Sequence, residues 1–214
     1  MESLEPVPAA IAVDRRAPIK SSRSTVATMA DLEPYLTALF VREAVPVCPE
    51  HGVEAVPFDP NLAAEHATGQ LAGAPVVVTY PVRADGPEHY LEVRERLLRD
   101  GYRRLWLGDR VVDVDRVRPS EALAAGTELG VVVDRLRVST GERSRLAAGI
   151  EQAWQRGAGL ARVHAGTASR TFRRGLSCPE CGRAFEPPRP GLLSYNSPLG
   201  ACPVSIWRRV QYLG

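Results

Sequence analysis

The chain has 214 residues, of which 44% are apolar, so it can build one large domain or two small ones around a real core. Its formal net charge of +2 argues neither for nor against a polyanionic partner. No apolar run reaches the length of a membrane span, and the acidic, proline-containing N-terminus lacks the pattern of a secretory signal.

The basic residues are almost all arginine, since Lys20 is the single lysine among 27. With abundant Ala, Gly, Pro and Val, this is typical of high-GC coding bias, so arginine content alone does not indicate nucleic-acid binding. Four cysteines that include a tight C-x2-C pair favour a metal site in a reducing compartment over a disulfide framework. The sequence therefore predicts a cytoplasmic protein.

The N-terminal third contains one predicted helix. Residues 1–30 are predicted to be mostly extended or loop, because prolines interrupt them. Residues 29–45 carry apolar side chains at helical spacing, and Asp31 is expected to cap that helix. A break follows at residues 46–52.

Residues 53–136 are predicted to form a separate α/β unit with alternating strand and helix patterns. Its expected elements are a strand at 74–80, a helix at 88–100 stopped by Gly101, a hairpin of 104–107 with 110–114, and a strand at 129–138. Beyond it, residues 142–156 predict a helix with Leu146, Ile150 and Trp154 on one face. A strand at 160–164 and an arginine-rich linker then precede a Gly/Pro/Ser-rich tail from Ser177.

The strongest chemical signal is Cys178-Pro-Glu-Cys181, whose spacing lets two thiolates share one tetrahedral zinc ion. Gly182 suits the tight turn of such a knuckle. A third ligand is expected from Cys202, but position 205, where a second C-x2-C would end, is serine. Two interpretations stay open: a zinc site completed by water or histidine, or a decayed site.

A second, weaker knuckle is Cys48-Pro-Glu-His51-Gly52. It is either a plain turn with an incidental cysteine or a source of further ligands. Cys48 or His51 would then supply the missing fourth ligand of the first knuckle.

Catalytic machinery is hard to find in this sequence. Lys20 follows Ile19 rather than glycine, so there is no P-loop, and no G-x-S-x-G elbow is present. His66 and His89 are expected on the surface, and His164, ending an apolar strand, is expected to be a satisfied interior histidine. Asp113 and Asp115 alternate with valines, which fits the wet face of a strand.

Two segments are candidates for phosphate contacts: residues 21–25, and the arginines Arg170, Arg173 and Arg174. Small hydroxyls and arginine forks suit phosphate oxygens, although a solvated polar loop explains both segments equally well.

Several stretches together resemble the UvrA family. They are residues 10–14 and 23–28, the Cys48 turn, Gly101-Tyr-Arg-Arg104, residues 131–136, Cys178–Gly182, residues 193–198 and Gly200-Ala-Cys-Pro203. Their order and spacing match along nearly the whole chain, although no single motif is decisive.

The resemblance implies a piece of the damage-sensing ATPase of bacterial nucleotide excision repair, which binds zinc and DNA and loads UvrB. The implied fold is α/β (α+β): an ATPase-core segment at 1–46, a UvrB-binding insertion at 47–140, and a return to the ATPase core with a zinc module at 141–214. If the insertion binds UvrB, the candidate charged contacts are Arg94, Arg103 and Arg104. If the chain is instead a zinc-dependent DNA-binding module, the candidate contacts are Arg170, Arg173 and Arg174. The resemblance implies a UvrA-type dimer only for a complete chain.

Departures from the family limit what is carried over. Arg15 stands where the family has glutamine, Ala27 where it has glycine, and the match stops after Pro203. The nucleotide-binding loop, the ABC signature and the second acidic motif are not found, so we expect no ATP hydrolysis by this chain alone and interpret it as a truncated or divergent copy. The hypotheses are a UvrB-binding module, a zinc-dependent DNA-binding module, or a non-functional remnant.

Overall fold

A computed structural model describes residues 25–124, 126–194 and 197–201. One compact unit spans residues 45–187, and the described parts of 1–44 and 188–214 form a second, smaller one. Elements on both sides of residue 140, the predicted module boundary, lie in the larger unit. None of the helices in the described ranges has the length and apolar character needed to cross a bilayer.

The elements mix helices with antiparallel strands, which confirms the predicted class at the level of α+β. The helices are α1 (Val26–Met29), α2 (Glu33–Glu43), α3 (Pro60–Gln70), α4 (Pro87–Arg99), α5 (Pro119–Ala122), α6 (Arg143–Arg156) and α7 (Pro190–Leu193). The strands are β1 (Val56–Phe58), β2 (Pro75–Arg83), β3 (Arg104–Leu107), β4 (Arg110–Asp113), β5 (Glu128–Arg137), β6 (Leu160–Ala165), β7 (Ala168–Arg173) and β8 (Gly175–Ser177).

The larger unit is built on a six-stranded antiparallel sheet in the order β4-β3-β5-β2-β6-β7. Its central strands β2 and β5 are the longest and the richest in valine, as suits a buried sheet centre. Helix α6 packs against β2, β5 and β6, and α3 packs against α6. A second, two-stranded sheet pairs β1 with β8.

The helical predictions for α4 and α6 are confirmed by the side chains they bury. Tyr90, Val93 and Leu97 of α4 enter the core, as do Leu146, Ile150 and Trp154 of α6. Full burial of such a side chain is worth about 1.5–3 kcal/mol. The Trp154 indole also donates a hydrogen bond to the Phe172 carbonyl, which satisfies its polar atom inside the core.

Three local predictions were wrong. Asp31 does not cap a helix: it has a φ of 55°, and α2 begins later, at Glu33. Part of the predicted loop before it is α1, which Thr25 caps by accepting a hydrogen bond from the Thr28 N–H. The expected linker after β6 is strand β7, which forms a hairpin with β6.

Helix α3 was not predicted from the sequence. Asp59 caps it by accepting a hydrogen bond from the Leu62 N–H, and proline follows at its first position. Its buried residues are Ala63, Ala64 and Ala67, which let it approach α6 closely.

We expect Gly157→Ala to destabilise the larger unit by about 2 kcal/mol, because the added methyl would overpack a tight site. A Cβ there would lie 2.6 Å from the Leu160 carbonyl oxygen and 2.7 Å from Cβ of Tyr80. The matched control is Gly69→Ala in α3, where an added Cβ would meet no atom within 4 Å beyond the adjacent residues and the backbone of its own helix. Alanine there should add up to about 1 kcal/mol of stability. Urea unfolding measures both; equal midpoints for the two variants would contradict the packing argument.

Candidate metal centre

Four side chains from two distant parts of the chain converge in the larger unit: Cys48, His51, Cys178 and Cys181. Their ligand atoms all lie within 4.8 Å of one another. The Cys48 sulfur is 3.5 Å from His51 Nδ1 and 3.9 Å from the Cys181 sulfur, and the Cys178 sulfur is 3.9 Å from the same His51 nitrogen.

The first pair of ligands sits on a turn closed by backbone hydrogen bonds. The Gly52 N–H donates to the Cys48 carbonyl at 2.8 Å, and the Cys48 N–H donates to the Val53 carbonyl at 2.8 Å. Gly52 has a φ of 66°, a left-handed conformation that glycine adopts at little cost. This turn points the Cys48 and His51 side chains to the same side.

The second pair repeats this geometry. The Gly182 N–H donates to the Cys178 carbonyl and the Cys178 N–H donates to the Arg183 carbonyl, both at 2.9 Å. Gly182 has a φ of 71°, and a Cβ there would lie 2.5 Å from a methyl carbon of Thr171. Glycine is therefore required twice over at this position, by backbone conformation and by space.

The pairing of β1 with β8 brings the two turns together. Val56 lies opposite Ser177 and Phe58 opposite Gly175, so the strand after the first turn runs beside the strand before the second. An ion pair between Arg183 and Glu50 also joins the turns directly.

The donor set fits a tetrahedral metal ion. For metal–sulfur bonds near 2.3 Å, adjacent ligand atoms of a tetrahedron lie about 3.8 Å apart, close to the separations observed here. Three thiols and one imidazole are the ligands that Zn²⁺ takes in structural sites. All four positions of such an ion would be filled by protein, which leaves no open position for a substrate.

The thiols differ in their readiness to ionise. The hydrogen bond with His51 lowers the pKa of Cys48 to about 6, although burial acts in the opposite direction. The pKa of Cys181 is raised: a backbone hydrogen bond at Arg183 lowers it, but burial and the neighbouring thiols outweigh that effect. Cys48 therefore offers a thiolate near neutral pH, and a bound cation would favour ionisation of the others.

Sequence analysis identified both knuckles of this centre but did not predict that all four of their ligands meet at one site. Cys178 and Cys181 lie together as predicted, and both Cys48 and His51 reach them, where only one was expected to. The predicted third ligand, Cys202, lies outside the described residues, as does Ser205. The described group has four ligands without either.

The three arginines predicted to contact DNA lie in or beside β7, close to the second knuckle. Arg170 donates to the Gln70 side chain at 2.7 Å, Arg173 donates to the Gly182 carbonyl at 3.2 Å, and Arg174 lies 4.0 Å from Glu151. These bonds tie each side chain to the protein itself. DNA contact through them stays a prediction.

The arginines predicted to contact a partner are separated by the fold. Arg94 is half-buried on α4, and its Nε has no hydrogen-bond partner among the described residues. Arg103 and Arg104 are exposed and line a cleft of about 630 Å³. The cleft is also lined by Asp100, Asp134, Arg135, Arg145 and Arg156.

His164 is the interior histidine that the sequence predicted. It is 9% exposed, and its Nε2 shares a 2.9 Å hydrogen bond with the Thr79 hydroxyl. Its ring also stacks on Trp106, with 4.8 Å between ring centroids. Sequence reasoning did not single out Trp106. The one indication was an aromatic residue on the side of a short strand that faces away from the core.

Comparison with known proteins gives a consistent result. The family profile described as UvrA interaction domain matches residues 63–167. UvrABC system protein A of Staphylococcus epidermidis is 33% identical over 214 residues, covering 95% of this chain and 22% of that protein. The proteins of the same name from Oceanobacillus iheyensis (31% over 205 residues) and Xanthomonas axonopodis pv. citri (28% over 207 residues) each cover 95% of the chain and 21% of their own length. The chain thus spans about a fifth of the length of these curated relatives, and the resemblance seen in the sequence is confirmed.

We expect the purified chain to bind one Co²⁺ ion per molecule with thiolate-to-cobalt absorption, and Cys48→Ser to weaken that binding by more than about tenfold. Cys202→Ser is the matched variant and should bind like the wild type, because the four clustered ligands suffice. Metal titration followed by absorption measures both. Loss of binding in the Cys202 variant with full binding in the Cys48 variant would overturn this ligand assignment.

Stability should fall as the pH drops from about 6.5 to 4. Burial, with a smaller effect of Arg162, lowers the pKa of His164 to about 4, below its ordinary value of 6.5. Between these pH values His164 binds a proton in the unfolded chain but not in the folded chain, so acid favours unfolding. His164→Gln should flatten this part of the pH–stability curve in urea unfolding, whereas His89→Gln, on the surface, should leave it unchanged. A wild-type slope in the His164 variant would contradict the assignment.

Proposed function

The chain is related to the UvrA family along 95% of its length, and on this premise we propose that residues 45–187 serve as a UvrB-binding module of bacterial nucleotide excision repair. The observation that carries the proposal is the match of the UvrA interaction domain to residues 63–167, which lie entirely within this unit. The unit has its own buried core, formed by the six-stranded sheet and the helices against it. It is therefore suited to present a binding surface by itself.

The cleft at Arg103 and Arg104 is our candidate for the UvrB contact. Three of its arginines are already paired with carboxylates: Arg103 with Asp115, Arg145 with Asp134, and Arg156 with Asp100. Arg104 and Arg135 form no ion pair with any carboxylate of the described residues. A partner that presents acidic side chains would find unpaired guanidinium groups here.

The charged character of this cleft suits selective and fast association. Exposed charges contribute more to partner choice and to the association rate than to affinity, because water and salt screen them. The neighbouring ion pairs hold the cleft walls in a defined shape, since Asp134 receives two hydrogen bonds from Arg145 at 2.8 and 2.9 Å. We infer that UvrB binding through this surface is sensitive to salt.

Zinc is the metal we propose for the cysteine and histidine centre. Its ligands come from residues 48–51 and 178–181, near the two ends of the larger unit. An ion held there would fasten the beginning of the unit to its end, which is a structural role. Thiol ligands persist in a reducing compartment, and this supports a cytoplasmic location.

We further infer that the smaller unit derives from the ATPase module of the family. Its helix α2 leaves Tyr35, Leu39 and Phe40 more than half exposed. Several exposed apolar side chains on one short helix are typical of a surface that a larger assembly covers. We attribute no ATP hydrolysis to this segment by itself, because Lys20, the single lysine, does not lie in a P-loop motif.

We expect the double substitution Arg103→Glu with Arg104→Glu to weaken UvrB binding by at least about tenfold, mainly through slower association, because it reverses two charges at the cleft. Arg99→Glu in the last turn of α4 is the matched control, since it reverses a surface charge outside the cleft lining. Surface plasmon resonance with immobilised UvrB at two salt concentrations gives both rates. The proposal fails if the wild-type chain binds UvrB no better than an unrelated protein.

A further inference from the structure

The face of the six-stranded sheet opposite the helices carries an aromatic stack. On β3, Leu105 is buried and pairs with the buried Val131 of β5, so the next residue, Trp106, points to the other face, opposite Gly130. His164 of β6 lies on this face too, and its ring stacks on the Trp106 indole with an interplanar angle of 22°. Two strands, β5 and β2, lie between the strands that carry these rings.

Small residues on the intervening strands make room for the stack. A Cβ at Gly130 would lie 3.3 Å from Cβ of Trp106 and 3.5 Å from the Thr79 hydroxyl. The glycine therefore lets the indole extend across β5, and the hydrogen bond between the Thr79 hydroxyl and His164 Nε2 fixes the position of the imidazole. His164 is 9% exposed and the indole is only half-buried. The imidazole therefore covers one face of an indole that is otherwise only partly buried.

Two clefts flank this stack, and Trp106, His164 and Gly166 line both of them. The larger has a volume of about 510 Å³, and its apolar lining includes Val77 and Val111. The smaller, of about 290 Å³, is lined on its polar side by residues such as Ser169. The two rings thus form a ridge of π surface between two hollows.

Positive charge lies on one side of the ridge. Arg135 and Arg137 line the larger cleft, where Asp109 is the single acidic residue among the lining residues. Neither arginine forms an ion pair among the described residues, although Arg137 also donates to the Gly73 carbonyl at 2.7 Å. On the other side, Arg162 is paired with Glu128. Of the two clefts beside the stack, the one of about 510 Å³ therefore carries the arginines that have no carboxylate partner among the described residues.

From this arrangement we infer that the open sheet face binds single-stranded DNA, with a base stacked on the Trp106 indole and its phosphates held by Arg135 and Arg137. Base stacking on aromatic side chains combined with a basic groove is the recurring physical solution for single-strand binding, because every base offers a flat π surface. The two hollows give room for the bases before and after the stacked one. This face shares Arg135 with the Arg103 and Arg104 cleft proposed for UvrB, but its rings and Arg137 do not line that cleft.

A single strand suits this surface better than a duplex or an acidic peptide. In a duplex the bases stack on one another, so their faces are not free to meet an indole. An acidic peptide would use the guanidinium groups but leave the ring ridge without a partner. The combination of flat rings and nearby cations favours a ligand that alternates planar groups with anions.

The test is fluorescence anisotropy of the purified 214-residue chain with a fluorescein-labelled oligothymidylate about 12 nucleotides long, within the range of single-strand site sizes. A duplex of the same length is the comparison. We expect the single strand to bind more tightly, and Trp106→Leu to weaken it about tenfold. Trp106→Phe keeps a ring and should retain most of the affinity, which separates loss of stacking from loss of folding.

Salt dependence tests the cationic half of the site. Arg137→Ala should reduce the slope of the logarithm of the binding constant against the logarithm of salt by about 0.7, the contribution of one single-strand phosphate contact. Arg99→Ala, on the helix side of the sheet, should leave slope and affinity unchanged. Arg135 is a poor choice for this substitution, because it lines both the cleft beside Trp106 and the Arg103 and Arg104 cleft.

Three outcomes would overturn this inference: no binding of the oligonucleotide, equal affinity for single strand and duplex, or unchanged affinity in a folded Trp106→Leu variant. UvrB binding measured on the same Trp106→Leu protein should stay at the wild-type level. That measurement keeps the failure of this inference distinguishable from the failure of the proposed UvrB contact.

Discussion

The antiparallel pairing of β2 with β5 is the constraint on which the larger unit depends. It runs from Pro75 opposite Arg137 to Arg83 opposite Glu128, with one irregularity between Val78 and Thr79. Several other parts take their positions from this ribbon: α6 covers one side, β3 and β6 extend it, and the Trp106 and His164 rings meet above its other side. Because side chains alternate along a strand, the same two segments build the hydrophobic core and the polar face.

Most helices and strands of this fold can be predicted from the sequence, and the exceptions have physical causes. Strands and helices with strong periodicity, such as β2 and α6, bury large β-branched or aliphatic residues on one side and were predicted within a few positions. Helix α3 buries alanines, which carry little hydrophobic contrast, so its face did not stand out. Strand β7 lies at the sheet edge and carries arginines that bond to neighbouring elements, so its composition resembles that of a linker.

The candidate metal centre shows a different limit of sequence reasoning. Each knuckle is a local motif of a few residues, and each was recognised, because glycine and ligand spacing are properties of a single turn. Which knuckles meet is decided by the pairing of β1 with β8, across more than a hundred residues. A search for the missing ligands nearby in sequence led to Cys202, whereas the described cluster uses His51 and Cys48. Long-range pairing of two short strands leaves no signature in composition or periodicity.

That short β1–β8 ribbon also governs how the unit is attached to other sequence. It brings residues near 48 and near 181 side by side, so the polypeptide enters and leaves the larger unit at nearly one point. A module with adjacent ends can be inserted into a surface loop of a host protein, because the two loop ends need to move only a short distance apart. Transplantation of this kind requires no compatibility between the host core and the module core, which leaves each free to diverge at its own pace.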